Sequence, residues 1–330
     1  TPARVISFGD YIGQIHASAK LAAKFQHSIT TFFSPGDRKN NRFATRYFPY
    51  AYEDYWAVKK STYYAGVAKK YSLSQDFVLP NDHASDKLFV NMGAGRLTVP
   101  DTFRSKADEA LQRLGLAADR WFCCLHFRQP NYRYKQTSNC RDVDPEPYLP
   151  SIDYIIDELG GQVVLLGHPE MTTRPARPGF IDLSRLPDSS DLQMCAVARS
   201  RFFYCSPSGA ACMAVALGTP IGVTDHSDFW DVGARAFMSH TLVEPDGTRL
   251  DNEALYESGW MTTNRTGELL SSGAGFVLEK RSESDIRRMI DHMLNETKDV
   301  AAWRDYRERE TGSEGKFSWP LSIGLNPNFI

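Results

Sequence analysis

The chain has 330 residues, of which 42% are hydrophobic and 12% aromatic, with 38 basic and 40 acidic side chains. That length predicts about two domains, each large enough to bury a core without disulfide or metal staples. The net charge of −2 excludes a generally basic nucleic-acid coat and a polybasic membrane binder, and the aromatic content excludes a disordered chain.

The distribution of apolar residues and cysteines bears on the cellular compartment. No apolar run approaches the ~20 residues that span a bilayer. The first ten residues lack the basic-then-apolar layout of a signal peptide, and the start at Thr1 suggests a trimmed chain. The six cysteines form no C-x2-C pair. We therefore expect a cytoplasmic protein, or one at the inner face of the membrane, with free buried thiols and no zinc site.

The first third of the chain opens with a β-α-β pattern. Residues 4–8 read as a buried strand, residues 14–25 as a helix and residues 28–33 as a second strand. A helix is predicted near 53–71 and a short strand at 88–91. This order predicts a small α/β domain.

From residue 106 the alternation of strands and helices becomes regular. The sequence predicts strands at 121–127, 162–166, 180–183, 202–205 and 221–224, and helices at 106–114, 146–159, 189–199, 210–217 and 284–295. Such alternation predicts a doubly wound parallel sheet. The predicted fold is α/β, with two Rossmann-like domains facing a cleft: a smaller domain at 1–115 and a larger one at 116–330, whose tail packs back on the first.

One strand end in the second domain has the composition of a phosphate site. The predicted strand 202–205 runs into Ser206-Pro207-Ser208-Gly209, and a helix of small residues begins at once. Ser206 or Ser208 can cap this helix, which leaves the first N–H groups, near Gly209 and Ala210, directed at a ligand. The alternative is a simple helix cap that binds nothing.

Basic and aromatic residues crowd a neighbouring strand end. Arg128 follows the strand 121–127, and the long loop after it contains Tyr132, Tyr134 and Arg141. Guanidinium and aromatic groups at this density suit a polyanion that carries a stacking ring, although a solvated surface loop is the alternative. Gly167 ends the next predicted strand, beside the same crevice.

The first turn of the chain offers a carboxylate. Asp10 lies between Gly9 and Tyr11, where the first strand ends. The spacing differs from the dinucleotide fingerprint G-x-G-x-x-G. A carboxylate held there can act as a general base, or Asp10 can simply cap its helix. Elsewhere, the acidic pair Asp142 and Asp144 could bind a metal, but the preferred interpretation is that both acids cap the following helix.

Two of these segments resemble GT-B glycosyltransferases, in particular the lipopolysaccharide heptosyltransferases. The turn at 9–12 is similar to their Gly-Asp-x-[VI] turn, in which the aspartate is the general base. The run 206–220 is similar to their donor-binding run D-S-G-x-x-H-x-A-A-A-L-G-T-P. Cys212 or Met213 replaces the histidine, so the donor need not be ADP-heptose.

A wider stretch, residues 121–225, resembles an uncharacterised group of bacterial proteins assigned as glycosyltransferases. The shared features are a C-L-H-x-R strand at 124–128, an arginine-led helix at 141–156, a V-x-x-[ML]-G strand at 163–167 and a similar closing segment at 320–330. The resemblance covers about half of the chain and leaves the middle of the first domain unmatched.

These resemblances imply transfer of a sugar from a nucleotide-sugar donor to a hydroxyl acceptor such as a glycan, a glycolipid or a natural product. The diphosphate would lie on the amides after Ser206–Gly209 with Arg128 and Arg141, and Asp10 would deprotonate the acceptor in an inverting reaction. No metal or other cofactor and no nucleic acid is expected, while peripheral contact with a membrane stays open. The alternatives are a sugar-nucleotide epimerase of the same fold and a non-catalytic nucleotide- or sugar-binding protein.

Overall fold

A computed structural model describes residues 31–33, 51–53, 99, 101–130, 140–226, 236–250, 254 and 263–299. Its main feature is a six-stranded sheet. The strands are β3 (Phe122–His126), β4 (Gln162–Leu165), β5 (Phe180–Asp182), β6 (Phe203–Cys205), β7 (Ile221–His226) and β8 (Ala236–Ser239). All of them run parallel.

The strand order of this sheet is β5-β4-β3-β6-β7-β8. It corresponds to the Rossmann order 3-2-1-4-5-6, in which the chain winds outward from the centre first in one direction and then in the other. The two central strands, β3 and β6, pair His126 with Cys205 at their carboxyl ends. The topological switch point, where open α/β sheets bind ligands, therefore lies between His126 and Cys205.

Helices cover both faces of the sheet. They are α1 (Asp101–Arg113), α2 (Leu149–Asp153), which continues as a π-helical turn (Tyr154–Glu158), α3 (Ser190–Arg199), α4 (Gly209–Leu217) and α6 (Glu283–Glu296). One buried cluster joins α1, α3 and α4 to the sheet, and a second joins α2, the π-helical turn and α6. Successive residues of β3 alternate between them, with Cys124 in the first and Cys123 and Leu125 in the second.

Two smaller sheets complete the described structure. Strands β9 (Thr241–Val243), β10 (Arg249–Leu250) and β11 (Val277–Glu279) form an antiparallel sheet in the order β10-β9-β11. Helix α5 (Thr263–Ser271) supplies Leu269 and Leu270 to the apolar cluster around Leu242. Near the amino terminus, β1 (Thr31–Phe33) pairs in parallel with β2 (Ala51–Glu53).

The α/β class and the parallel sheet predicted from sequence are confirmed, and the helices and strands predicted over 106–224 and 284–295 occur. Three details differ. The helix predicted at 146–159 begins at Leu149 and turns π-helical at Tyr154, and Glu53, placed at a helix start, lies in β2. Strands β8 to β11 and helix α5 were not predicted. The division at 115/116, the two-domain cleft and the packing of the tail stay predictions.

All six cysteines are free, and five of them are buried. This matches the prediction of buried thiols. Burial raises the pKa of Cys195 to about 12 and that of Cys124 above its usual range, so these thiols stay protonated at neutral pH. Among the described helices, none is long and apolar enough to cross a membrane.

Candidate functional site

Arg128 and Ser206 meet at the topological switch point, although 78 residues separate them. The Arg128 N–H donates to Ser206 Oγ at 2.7 Å, and the Ser206 N–H donates to the His126 carbonyl at 3.1 Å. Both residues follow the carboxyl ends of central strands, so the pairing of β3 with β6 brings them together. Ser206 is fully buried, and its side chain therefore supports Arg128.

Ser208 caps helix α4. Its extended backbone ends the turn, and its hydroxyl accepts a hydrogen bond from the Ala210 N–H at 3.2 Å. Gly209 is the first helical residue, whose N–H has no acceptor within the helix. Helix α4 is composed largely of small residues and ends at Gly218, whose φ of 70° is left-handed. Its amino terminus, with the positive end of the helix dipole, follows shortly after Ser206, which binds the Arg128 backbone at the switch point.

The guanidinium of Arg128 forms an ion pair with Asp142. Arg128 Nε lies 2.8 Å from Asp142 Oδ1. The following helix α2 begins at Leu149, and its N-cap residue, Tyr148, makes no side-chain cap hydrogen bond. Neither Asp142 nor Asp144 therefore caps this helix, which corrects the expectation from sequence. Asp144 stabilises the turn before the helix, where its Oδ1 accepts from the Glu146 N–H at 2.9 Å. Within the described residues, no group of three or more His, Cys, Asp or Glu side chains could hold a metal ion.

Gly167 lies after β4 with a φ of 150°, in a region that side chains rarely adopt. The side-chain amide of Gln193 brackets it: Oε1 accepts from the Gly167 N–H at 3.1 Å, and Nε2 donates to the Gly167 carbonyl at 3.0 Å. A Cβ atom there would also collide with the sulfur of Met171. The backbone after β4 therefore requires glycine at this position, and the Gly167 N–H is already bonded to Gln193.

His126 is a largely buried imidazole at the end of β3. Burial lowers its pKa to about 4, so the ring is neutral at physiological pH. Its Nδ1 lies 3.1 Å from the Leu166 carbonyl, which can only accept, and Nδ1 therefore carries the proton. Burial also lowers the pKa of the half-buried His168. Neither ring adds positive charge to the site at neutral pH.

A buried ionic cluster at the end of β7 was missed from sequence. Asp225 is fully buried, with a left-handed φ of 56° at a register shift between β7 and β8. Its carboxylate accepts from the Tyr148 hydroxyl at 2.8 Å and from the Arg281 N–H at 2.7 Å. Burial raises the pKa of Asp225 and lowers that of Lys280, and their mutual attraction partly offsets both shifts. Lys280 donates to the Cys140 carbonyl, two residues before Asp142.

No local signal in the sequence pairs these groups, because Asp225 lies in β7 of the main sheet and Lys280 follows β11 of the antiparallel sheet. The one sequence feature that indicated the cluster was Asp225 itself, a charged residue directly after the predicted apolar strand 221–224. Arg141, which lies next to Asp142, is partly buried. The remaining residues assigned from sequence lie outside the described residues: Gly9, Asp10, Tyr11, Tyr132 and Tyr134.

No family model and no curated protein matches the chain. Several solved structures do match the chain. A glycosyl transferase of family 9 from Veillonella parvula DSM 2008 matches with a TM-score of 0.54 and 14% identity, over 89% of this chain and 96% of that one. Glycosyltransferases are its structural neighbours, as the resemblance predicted. At 14% identity, this likeness shows a shared fold.

ADP-heptose lps heptosyltransferase II from E. coli matches with a TM-score of 0.45 and 14% identity, over 80% of this chain and 95% of that one. The fold comparison rests on the Veillonella structure, whose TM-score exceeds 0.5.

Proposed function

We propose that the protein is a glycosyltransferase that moves a sugar from a nucleotide-sugar donor to a hydroxyl acceptor such as a glycan, a glycolipid or a natural product. One observation carries the proposal. The Arg128 backbone binds Ser206 just before the cap of α4, at the switch point of a parallel sheet, in a fold shared with a family 9 glycosyl transferase. A cation beside a helix amino terminus suits a phosphate ligand.

The donor diphosphate would lie between these two groups. The N–H groups that open α4, beginning with Gly209, would bind phosphate oxygens, and Arg128 would contribute its Nη groups, with Arg141 as a second cation. As the sugar–phosphate bond breaks, negative charge accumulates on the leaving diphosphate. Fixed N–H dipoles and guanidinium groups stabilise such charge without a solvent rearrangement.

Asp10 is the proposed general base. It would take the proton of the acceptor hydroxyl while that oxygen attacks the anomeric carbon and the diphosphate leaves from the opposite side, which inverts the configuration. Gly9 and Tyr11 flank this carboxylate, and Tyr132 and Tyr134 are proposed to contact the acceptor or the nucleotide ring. Closure of two domains around the reactants would exclude water and limit hydrolysis of the donor.

Nucleotide binding tests the donor half of the proposal. We expect isothermal titration with ADP, UDP, GDP and CMP to give saturable binding of at least one nucleotide. Arg128→Ala should weaken that binding by about 1.5–3 kcal/mol, since a charge-assisted hydrogen bond is lost. Binding of none of the four nucleotides would contradict the proposal.

Asp10→Asn tests the base. Turnover, followed as release of the free nucleotide from its sugar conjugate, should fall by orders of magnitude, because the amide cannot accept the proton. The affinity for the free nucleotide should stay at the wild-type value, which serves as the internal control. Undiminished turnover would remove Asp10 from the mechanism.

A further inference from the structure

We propose that Asp142 is a positioning residue of the donor site: it binds Arg128 through Nε and leaves both Nη groups of the guanidinium for the donor phosphate. The inference rests on the proposed function, since the ligand is the nucleotide part of the donor. It goes beyond that function because it assigns the orientation of the phosphate-binding cation to a second residue, 14 positions away.

Arg128 is fixed at three points. Its N–H donates to Ser206 Oγ at 2.7 Å, its carbonyl accepts from the Val143 N–H at 3.0 Å, and its Nε donates to Asp142 Oδ1 at 2.8 Å. In the described part of the chain, no hydrogen bond or ion pair involves Nη1 or Nη2. The side chain keeps 17% of its surface exposed. The guanidinium is therefore held from one edge and accessible to a ligand.

Asp142 is itself held in place. Its side chain is only 7% exposed, and the ammonium group of Lys280, which binds the Cys140 carbonyl, lies within electrostatic reach. Lys280 in turn faces the buried carboxylate of Asp225. Charges of alternating sign thus run from Arg128 through Asp142 and Lys280 to Asp225. This row gives the Asp142 carboxylate a fixed position from which to orient a partner.

The arrangement matters because an arginine side chain has many rotamers. A guanidinium that is oriented before the ligand arrives loses less conformational entropy when it binds phosphate. The forked Nη edge also matches two phosphate oxygens, whereas Nε alone matches one. Asp142 thus determines which edge of Arg128 faces the donor.

Positioning and simple charge neutralisation predict opposite effects of removing Asp142. If the carboxylate only neutralised Arg128, its loss would make the site more positive, and a nucleotide anion would bind more tightly. If the carboxylate orients Arg128, its loss frees the side chain, and the nucleotide binds more weakly. The sign of the change in Kd separates the two roles.

The experiment measures the Kd of ADP, UDP and GDP by isothermal titration for five proteins: wild type, Asp142→Asn, Arg128→Ala, the double variant and Asp144→Asn. We expect Asp142→Asn to raise the Kd of the best-bound nucleotide by roughly 3- to 10-fold and Arg128→Ala by roughly 10- to 100-fold. Asp142→Asn should have no further effect in the Arg128→Ala background, because it acts through that side chain.

Asp144→Asn is the matched control. It removes the same charge two residues away, where the carboxylate accepts from the Glu146 N–H and does not touch Arg128. Its Kd should equal the wild-type value or lie slightly below it. A result in which Asp142→Asn matches Asp144→Asn, or in which the two effects add in the double variant, would overturn the positioning role and leave the donor site intact.

Arg128→Lys covers the case in which Asp142→Asn fails to fold. Lysine keeps the charge but has no Nε and no fork, so we expect a loss of roughly 10-fold or more. Wild-type affinity in Arg128→Lys would mean that a point charge suffices, and the positioning role would be wrong. Failure of wild-type protein to bind any of these three nucleotides or CMP would overturn the donor site and the positioning role together.

Discussion

His126 shows how one buried residue couples the stability of the site to pH. Its Nδ1–H is bonded to the Leu166 carbonyl, and burial lowers its pKa from a usual 6.5 to about 4. The unfolded chain therefore takes up a proton at higher pH than the folded chain does. Between these two values the unfolded state holds more protons, so the free energy of unfolding falls as the pH falls.

We expect wild-type protein to lose about 2 kcal/mol of its unfolding free energy through His126 between pH 7 and pH 5. His126→Gln, which cannot be protonated, should lack this part of the pH dependence. Urea unfolding of both proteins at the two pH values measures the difference. Parallel pH dependence in wild type and variant would show that His126 is readily protonated in the folded state.

Helix α4 exposes backbone groups at its amino terminus while its small side chains pack on the sheet. Residues Ala211, Ala214 and Ala216 are buried on the sheet, and small side chains permit a close approach of the helix axis. Ser208 then binds the Ala210 N–H through its hydroxyl and the Ala211 N–H through its carbonyl, while the Gly209 N–H has no acceptor within the helix. The same hydroxyl thus contributes to helix stability and lies at the amino terminus where the donor phosphate is proposed to bind.

Ser208→Ala should lower the free energy of unfolding by about 1 kcal/mol, because the cap is lost. Ser208→Asp keeps a capping oxygen, so its stability should stay near wild type, but its negative charge should abolish nucleotide binding. Thermal unfolding and nucleotide titration of both variants separate the two effects. Ser282→Ala, which removes the capping box of α6, is the control: it should lower stability without changing nucleotide affinity.

At the scale of the whole molecule, Asp225 joins separate parts of the fold. It lies next to the last residue of β7 in the main sheet, accepts from Tyr148 just before α2, and accepts from the Arg281 N–H between β11 and α6. Arg281 also donates to Thr241 of β9 at 2.9 Å. One buried carboxylate therefore links the main sheet, the antiparallel sheet and the helix layer that contains α2 and α6.

Asp225→Ala should lower the free energy of unfolding by about 3–5 kcal/mol, because it removes a buried carboxylate that balances the charge of the half-buried Lys280 and accepts from the Tyr148 hydroxyl and the Arg281 N–H. Chemical denaturation measures the loss. Asp246→Ala, which removes an acid from the turn between β9 and β10, should cause no comparable change. Equal stability of the two variants would show that the ionic cluster around Asp225 does not stabilise the fold.

The sequence alone determined the succession of strands and helices from residue 106 to 224. Hydrophobic period, strand composition and capping residues are local features, so they can be recognised without knowledge of the fold. Ser208 as a cap, Arg128 at a strand end and the buried thiols follow from such signals. The short strands β8 to β11 carry no period of their own, and they were not predicted.

Tertiary structure decided which of these pieces meet. The strand order places Arg128 next to Ser206, 78 residues away, and packing puts Asp225 beside Lys280 and the Arg281 N–H, which lies 56 residues along the chain. Packing also pairs Asp142 with Arg128, whereas the sequence predicted that Asp142 caps a helix. Such pairings depend on the order of the strands and on the packing of the layers. The local spacing of residues predicts neither the strand order nor the packing. The near-neutral total charge likewise gave no indication of the row of alternating charges from Arg128 to Asp225, which forms only in the folded chain.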